Sequence, residues 1–330
     1  MPAFADPIRL ATFAAPLSRD GPGLLLRDLG RDDPLIAASV AIINAVQPDI
    51  LLLTDIDHDH DAFALSVLRA RLGYSYQFTA TPNAGQMTDM DLDQNGRIGE
   101  PQDAQGFGRF AGDGGMAILS QWPIGDVTDL SDMLWIDLPD AKTPEGWPAE
   151  VLAIQRLSSV NHWIVPIEHP DGLLHLMAFA PTPPVFDGPE DRNGLRNADE
   201  LRLWTHVLDT QPPDDFIVLG NANLDPQDGD GRSAVMRDFL ADPRIKDPLP
   251  KSAGALVAPD AGHSGNPALD TTQREEIGNL RVDYVLPAAS WTIIDAGVFW
   301  PAPDDPLTEL LGSDGLAAGP HRLVWVDVSR

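Results

Sequence analysis

The densest run of chemically active side chains lies between Asp55 and Asp61, where DIDHDHD interleaves four Asp with His58 and His60. If the run is extended, side chains alternate and the Asp residues share one face, which would let Asp55 and Asp57 hold a divalent metal. The competing reading is a solvated acidic turn, with Asp61 capping the helix that follows. A second run, Asp91 to Gln102 (DLDQNGRIGEPQ), sets Asp91, Asp93 and Asn95 ahead of Gly96 and Ile98. That spacing resembles the first half of an EF-hand loop and predicts a structural calcium ion. The acid that should close such a loop is replaced by Gln102, although Glu100 and Asp103 are close, and Pro101 opposes a flanking helix. A hydrogen-bonded Asx turn is the alternative. The turn DPQDGDG (Asp225 to Gly231) offers further acidic oxygens. Near the end of the chain, GNANLDP (Gly220 to Pro226) and GPHRLVWVDV (Gly319 to Val328) carry Asn221, Asn223 and His321. Asn and His are donors suited to holding anionic oxygens.

The elements that must position these groups alternate between strands and helices, without an internal repeat. Ile8 to Phe13 and Asp49 to Thr54 read as strands, the second an unbroken apolar run suited to a buried sheet. Asp33-Pro34 starts a helix, with Leu35, Ala38, Ile42, Ile43 and Val46 following at helical spacing. Ala62 to Leu72, Asn197 to Leu208 and Ser233 to Leu240 are also predicted helical. Further strands are expected at residues 115–120, 162–167, 173–179, 216–220, 281–286, 291–299 and 322–328. The Pro- and Gly-rich stretches 81–115 and 249–279 read as long loops. Neither is bounded by a change of composition, so residues 1–330 read as one domain.

Composition narrows the function. With 50 acidic against 22 basic residues, the formal net charge is -28. Nucleic-acid affinity is mostly phosphate neutralisation by Lys and Arg, so long DNA or RNA is disfavoured as a partner. The acidic excess also makes a well-solvated surface suited to salt. No run approaches the length of apolar residues needed to span a bilayer. The absence of cysteine excludes disulfides, thiolate catalysis and zinc–thiolate sites. Ala3-Phe4-Ala5 before Asp6 reads like the end of a signal peptide, making residues 1–7 a remnant of a cleavage region and the protein secreted or periplasmic.

Taken in order, IRLATF, PDILLLTD, GMAILS, FAPTPPVFDGPEDRNG, GNANLDP, NLRVDYVLP and HRLVWVDV resemble the endonuclease/exonuclease/phosphatase superfamily, which has the DNase I-like fold. The likeness is strongest to a bacterial subgroup marked by TPPVFDGPEDRNG and runs from about Ile8 to Val328. It implies a four-layer α/β/β/α sandwich whose site lies where the strand ends converge. It also implies phosphoester hydrolysis with a divalent metal, Mg or Mn, to neutralise developing charge, and a carboxylate to take a proton from water.

Carried over one position at a time, the resemblance is incomplete. The Asn after the first strand falls on Ala14, and the metal-binding Glu falls on Asp55, one methylene shorter. The middle His falls on Ala180, and the Asp of the Asp-x-Asn pair on Asn221, with Asn223 retained. Asp283 is retained, while the terminal Asp-His dyad keeps His321 but has Pro320 for its Asp. A missing acid, base or oxyanion donor costs about 10²–10⁴ in rate, though such losses do not simply add. With no base at Asn221, and no carboxylate at Pro320 to orient His321, the leading expectation is an inactive or strongly impaired member, a pseudoenzyme. Against it stand two alternatives. One is a working hydrolase of small phosphoesters, with metal on Asp55 and Asp57 and phosphate on Asn223 and His321. The other is a calcium-stabilised secreted binding module. Asp187, Asp191, Arg192 and Asn193 could line the site mouth, or Arg192 could pair with an Asp to pin its loop. His162, beside Trp163, reads as a packed strand histidine.

Overall fold

The computed structural model describes residues 7–330 except 259, 261 and 275. The signal-like string Met1 to Asp6 lies outside the described residues. Eleven strands form two sheets, as the resemblance implied. The strands are β1 (Ile8–Leu17), β2 (Ile50–Ile56), β3 (Tyr76–Phe78), β4 (Gly115–Ser120), β5 (Thr128–Asp129), β6 (His162–His169), β7 (Gly172–Phe179), β8 (Phe216–Asn221), β9 (Asp283–Pro287), β10 (Thr292–Val298) and β11 (Val324–Ser329). The first sheet has the order β10-β11-β1-β2-β4-β3, and the second β5-β6-β7-β8-β9. The helices are α1 (Leu24–Leu29), α2 (Pro34–Val46), α3 (Phe63–Leu72), α4 (Ala149–Leu152), α5 (Arg192–Thr210), α6 (Ser233–Leu240) and α7 (Ala253–Val257).

Faces of β1, β2 and β11 pack on β8 and β9, so one apolar core runs between the sheets. β4 and β8 are buried at every position, which is why their sequences read as continuous apolar runs rather than alternating ones. α2 starts as the sequence predicts. Pro34 occupies its first turn, and the Asp33 carboxylate accepts from the Ile36 amide at 2.9 Å. Ile36, Ile42, Ile43 and Val46 then form its buried stripe. On the second sheet, Trp204 of α5 packs against Phe179 and His162. α5 begins five residues before the predicted start and buries Arg196, Asn197, Asp199 and Glu200.

DIDHDHD does not continue as an extended strand. Asp55 has φ 60, so alternation stops there, and a short 3-10 turn covers His60–Ala62. The predicted cap also moves: Asp61 is itself left-handed, and the Asp59 carboxylate accepts from the Ala64 amide at the start of α3.

Candidate functional site

Parallel pairing of β1 with β2 and of β7 with β8 brings residues 14, 54–56, 179–180 and 220–221 to strand ends. β4, β9 and β11 run antiparallel to their neighbours, so they begin at those same ends. The two sheets are tied together there by His321, just before β11, and Asp283, the first residue of β9. The His321 Nδ1 lies 2.9 Å from the Asp283 Oδ2, and both side chains are buried.

This contact corrects one expectation from the sequence. Pro320 removes a carboxylate, but His321 is oriented all the same, by Asp283 from the other sheet. The Asp283 Oδ2 also accepts from the Thr271 hydroxyl at 2.9 Å, while its Oδ1 is buried with no partner. On the far side of the imidazole, an Arg274 Nη2 lies 3.3 Å from Nε2. A guanidinium can only donate, so Nε2 accepts and Nδ1 carries the proton given to Asp283. The outer nitrogen of the imidazole is thus capped by a cation.

The remaining inherited positions separate by what their atoms already do. Asn221 sits across from Asp283 in the β8–β9 ladder, and its side-chain oxygen accepts from the Asn223 amide at 2.9 Å. The Asn223 side chain donates to the Pro181 carbonyl at 2.9 Å and holds a left-handed backbone at φ 50. Ala14 and Ala180 are buried and bring no polar side-chain atom. Asp55 is exposed at the mouth of this end, yet protein crowded around it pushes its pKa up to about 7. Asp57 and Asp113 add to that rise, and His321 opposes it.

Asp57 departs from its predicted metal role. Its Oδ1 takes the Ser18 hydroxyl at 2.8 Å, and its Oδ2 takes the Arg19 amide at 2.9 Å. Burial pushes its pKa up to about 6. The carboxylate pins the β1–α1 connection. A hard divalent ion wants several oxygen ligands. Of the acids expected to ligate one, only Asp55 accepts no hydrogen bond among the described residues. With Ala14 and Pro320 adding no oxygen, the residues present do not fit a resident catalytic metal.

The calcium loop is partly rearranged. Ligand oxygens of Asp91, Asp93 and Asp103 lie within 4.8 Å of one another. Asp103, one place beyond the expected closing position, joins the set, and Gln102 does not. Asn95 is drawn into an Asx-like network instead. Its amide donates to Asp93 and Glu100, and its oxygen accepts from the Arg97 amide. The DPQDGDG turn does not converge on an ion. Asp225 accepts from the backbone of Gln227, Asp228 and Arg281, and Asp228 accepts from Ser264 and Gly265.

In the 185–194 loop, Asp187 and Asn193 bind loop backbone, and Asp191 pairs with Arg232. Arg192 makes no Asp pair among the described residues; its guanidinium stands over Trp147. His162 is a packed residue as expected, between the Ser158 hydroxyl at 2.7 Å and the Glu200 carbonyl at 3.0 Å. Burial pushes its pKa down to about 3. Arg274 escaped the sequence reading, because nothing in a Gly- and Pro-rich loop marks one Arg as facing a histidine.

A profile of the Endonuclease/Exonuclease/phosphatase family matches residues 23–314. The chain belongs to that family. No curated protein matches the sequence significantly. Among solved structures, an endonuclease/exonuclease/phosphatase from Beutenbergia cavernae DSM 12333 superposes with TM-score 0.57 at 17% identity, covering 98% of this chain and 72% of that one. A family member from Bacteroides vulgatus gives TM-score 0.55 at 12% identity, covering 98% and 99%. Sphingomyelinase C from Streptomyces griseocarneus gives 0.52 at 15% identity, covering 98% and 99%. At these identities the likeness shows the family's fold. No helix among the described residues is long and apolar enough to cross a membrane.

Proposed function

We propose that this chain keeps the family's small-phosphoester cleft but has lost most or all of its hydrolysis. The observation that carries the reading is the pairing of Asn221 with Asn223 where a proton-accepting carboxylate is needed. An amide takes no proton from water at neutral pH. Arg274 reinforces this, since it occupies the outer nitrogen of His321 that would otherwise face a phosphate oxygen. Arg274 and Asn223 still offer donors to an anionic ligand, so binding outlasts turnover. The acidic surface keeps long nucleic acid out of the reading.

The test is hydrolysis of bis(p-nitrophenyl) phosphate and p-nitrophenyl phosphate with Mg²⁺, Mn²⁺ or Ca²⁺. We expect rates at the level of the buffer blank. A combined Ala14→Asn, Ala180→His, Asn221→Asp and Pro320→Asp variant should gain at least about 10²-fold, on the scale of one restored acid–base group. Wild-type turnover far above the blank, abolished by His321→Ala, would overturn the reading.

A second reading is carried by the convergence of Asp91, Asp93 and Asp103, which suits a structural calcium ion. It fits an exported protein, the expectation from Ala3-Phe4-Ala5, because extracellular modules bind calcium at about 10⁻⁴–10⁻³ M. At 10 mM Ca²⁺ a site of that affinity stabilises the fold by roughly 1.5–2.7 kcal/mol. Melting temperature should therefore rise by a few degrees over an EGTA control, and Asp93→Asn should remove the rise. Identical melting in calcium and chelator counts decisively against the ion.

A further inference from the structure

A cleft of about 920 Å³ opens beside the dyad, sharing Asn223, Arg274 and Pro320 with it. Pro183, Pro184, Phe186, Ile277, Leu280 and Leu316 supply its apolar lining. Two features of this cleft call for a ligand. Phe186 is 89% exposed, and its backbone is left-handed at φ 70. A bulky non-glycine residue in that region carries a cost of about 1–3 kcal/mol, and an exposed ring recovers none of it by burial in the free protein. Such strain collects at ligand clamps.

The second feature is charge. Arg274 is exposed, and its one hydrogen-bonded partner among the described residues, apart from its own backbone contact, is His321. Its other guanidinium N–H groups are available to an anion. The acids around the cleft divide into two kinds. Asp225 and Asp228 are taken up by backbone amides, whereas Asp230 and Glu276 have no hydrogen bond among the described residues. Arg274 and His263 share the lining of the cleft with the unengaged carboxylates of Asp230 and Glu276, and on a chain of net charge -28 that balance suits a singly charged head group over a dianion.

We infer that the ligand is a monoanionic phosphodiester bearing an aromatic or bulky alkyl group, its phosphate at Arg274 and its apolar part against Phe186. This inference rests on the phosphoester-binding reading above and adds the substrate class and the residue that selects it. Phe186 makes the discrimination by covering the apolar group. Arg274 anchors the head, with His321 holding the guanidinium in place.

Calorimetric titration of the full chain with diphenyl phosphate, dimethyl phosphate and, at pH 8, phenyl phosphate tests the inference without requiring turnover. Diphenyl phosphate should bind at least about tenfold tighter than dimethyl phosphate, the equivalent of burying part of one ring. It should also bind tighter than dianionic phenyl phosphate. Phe186→Ala should weaken diphenyl phosphate about tenfold and leave dimethyl phosphate unchanged. Because Phe186 is exposed, its melting temperature should stay at the wild-type value. Arg274→Ala should weaken both diesters. Equal affinity for the two diesters, or indifference to Phe186→Ala, would sink the inference while leaving phosphoester binding intact. Failure of every phosphoester to bind would instead sink the underlying reading.

Discussion

Glu200→Ala is expected to lower stability by about 3 kcal/mol, the cost of leaving three buried donors unmatched. Glu200 is fully buried on α5, and its two oxygens act as a clasp between loops. Oε1 accepts from both the amide and hydroxyl of Ser159, at 2.6 and 2.8 Å, and Oε2 accepts from the Thr182 amide at 2.9 Å. The buried Arg196 nearby adds to the loss. It donates to the carbonyls of Gln105, Arg156, Leu157 and Ser158, and its charge is partly balanced by Glu200. A loss of this size in a chain this long should lower the melting temperature by roughly 4 °C. The same change loosens the Ala180–Thr182 segment, whose Pro181 carbonyl holds Asn223. Amide hydrogen exchange should therefore quicken at Ser159 and Thr182 well before global unfolding. A melting temperature unmoved by Glu200→Ala would show that the clasp carries no load.

Asp270→Asn should act the other way, stabilising the fold by about 2 kcal/mol at pH 8 and by almost nothing at pH 4. Burial pushes the Asp270 carboxyl up to about 7, and the charges of Asp260 and Asp225 push in the same direction. Its Oδ2 is buried without a hydrogen-bond partner among the described residues. The sign follows from proton binding. A carboxyl that holds its proton more tightly when folded favours the folded state below the unfolded pKa, and that advantage disappears as pH rises through about 7. The shift sets a ceiling of roughly 4 kcal/mol, which relaxation of the charged form reduces by about half. Asp57 and Glu200 are raised for the same reason, burial first, and Asp55 by the protein crowded around it. The wild-type protein should accordingly lose stability between about pH 4 and pH 8, and Asp270→Asn should flatten that slope. Denaturant titrations at the two ends of the range decide the matter. Parallel pH curves for the two proteins would contradict the assignment.

The positions of most strands and the start of α2 were legible because their causes are local, whereas the two-sheet sandwich came from the family resemblance. Apolar runs at 50–53 and 216–219 had to be buried on both faces, and Asp33-Pro34 had to begin a helix. What escaped the sequence depends on contacts distant along the chain. Pro320 suggested an unoriented His321, because the carboxylate that orients it belongs to the other sheet and lies 38 residues away. Alternation along DIDHDHD pointed to Asp55 and Asp57 as joint ligands, but the backbone turns left-handed at Asp55 and the alternation ends there. Asp57 then answers to Ser18, which no spacing rule connects to it. The calcium loop was offset by one residue for a related reason. Without a following helix to fix its end, Asp103 reaches the cluster from inside, held by the Leu92, Gly99 and Glu100 amides. α5 was read short because its first turns, Arg192 to Arg196, contain Gly194 and follow a Pro- and Gly-rich loop, so they look like part of that loop.

β11 occupies the interior of its sheet, between β10 and β1, and its neighbour β1 is the first strand of the chain. Arg9 and Asp327, joined by two hydrogen bonds, stand 318 positions apart in sequence. Until β11 pairs with it, β1 presents an open edge, so this sheet closes only when strands more than 300 positions apart meet. A closure that non-local is slow to form, and it makes the seam between β1 and β11 the last part of the sheet to be secured.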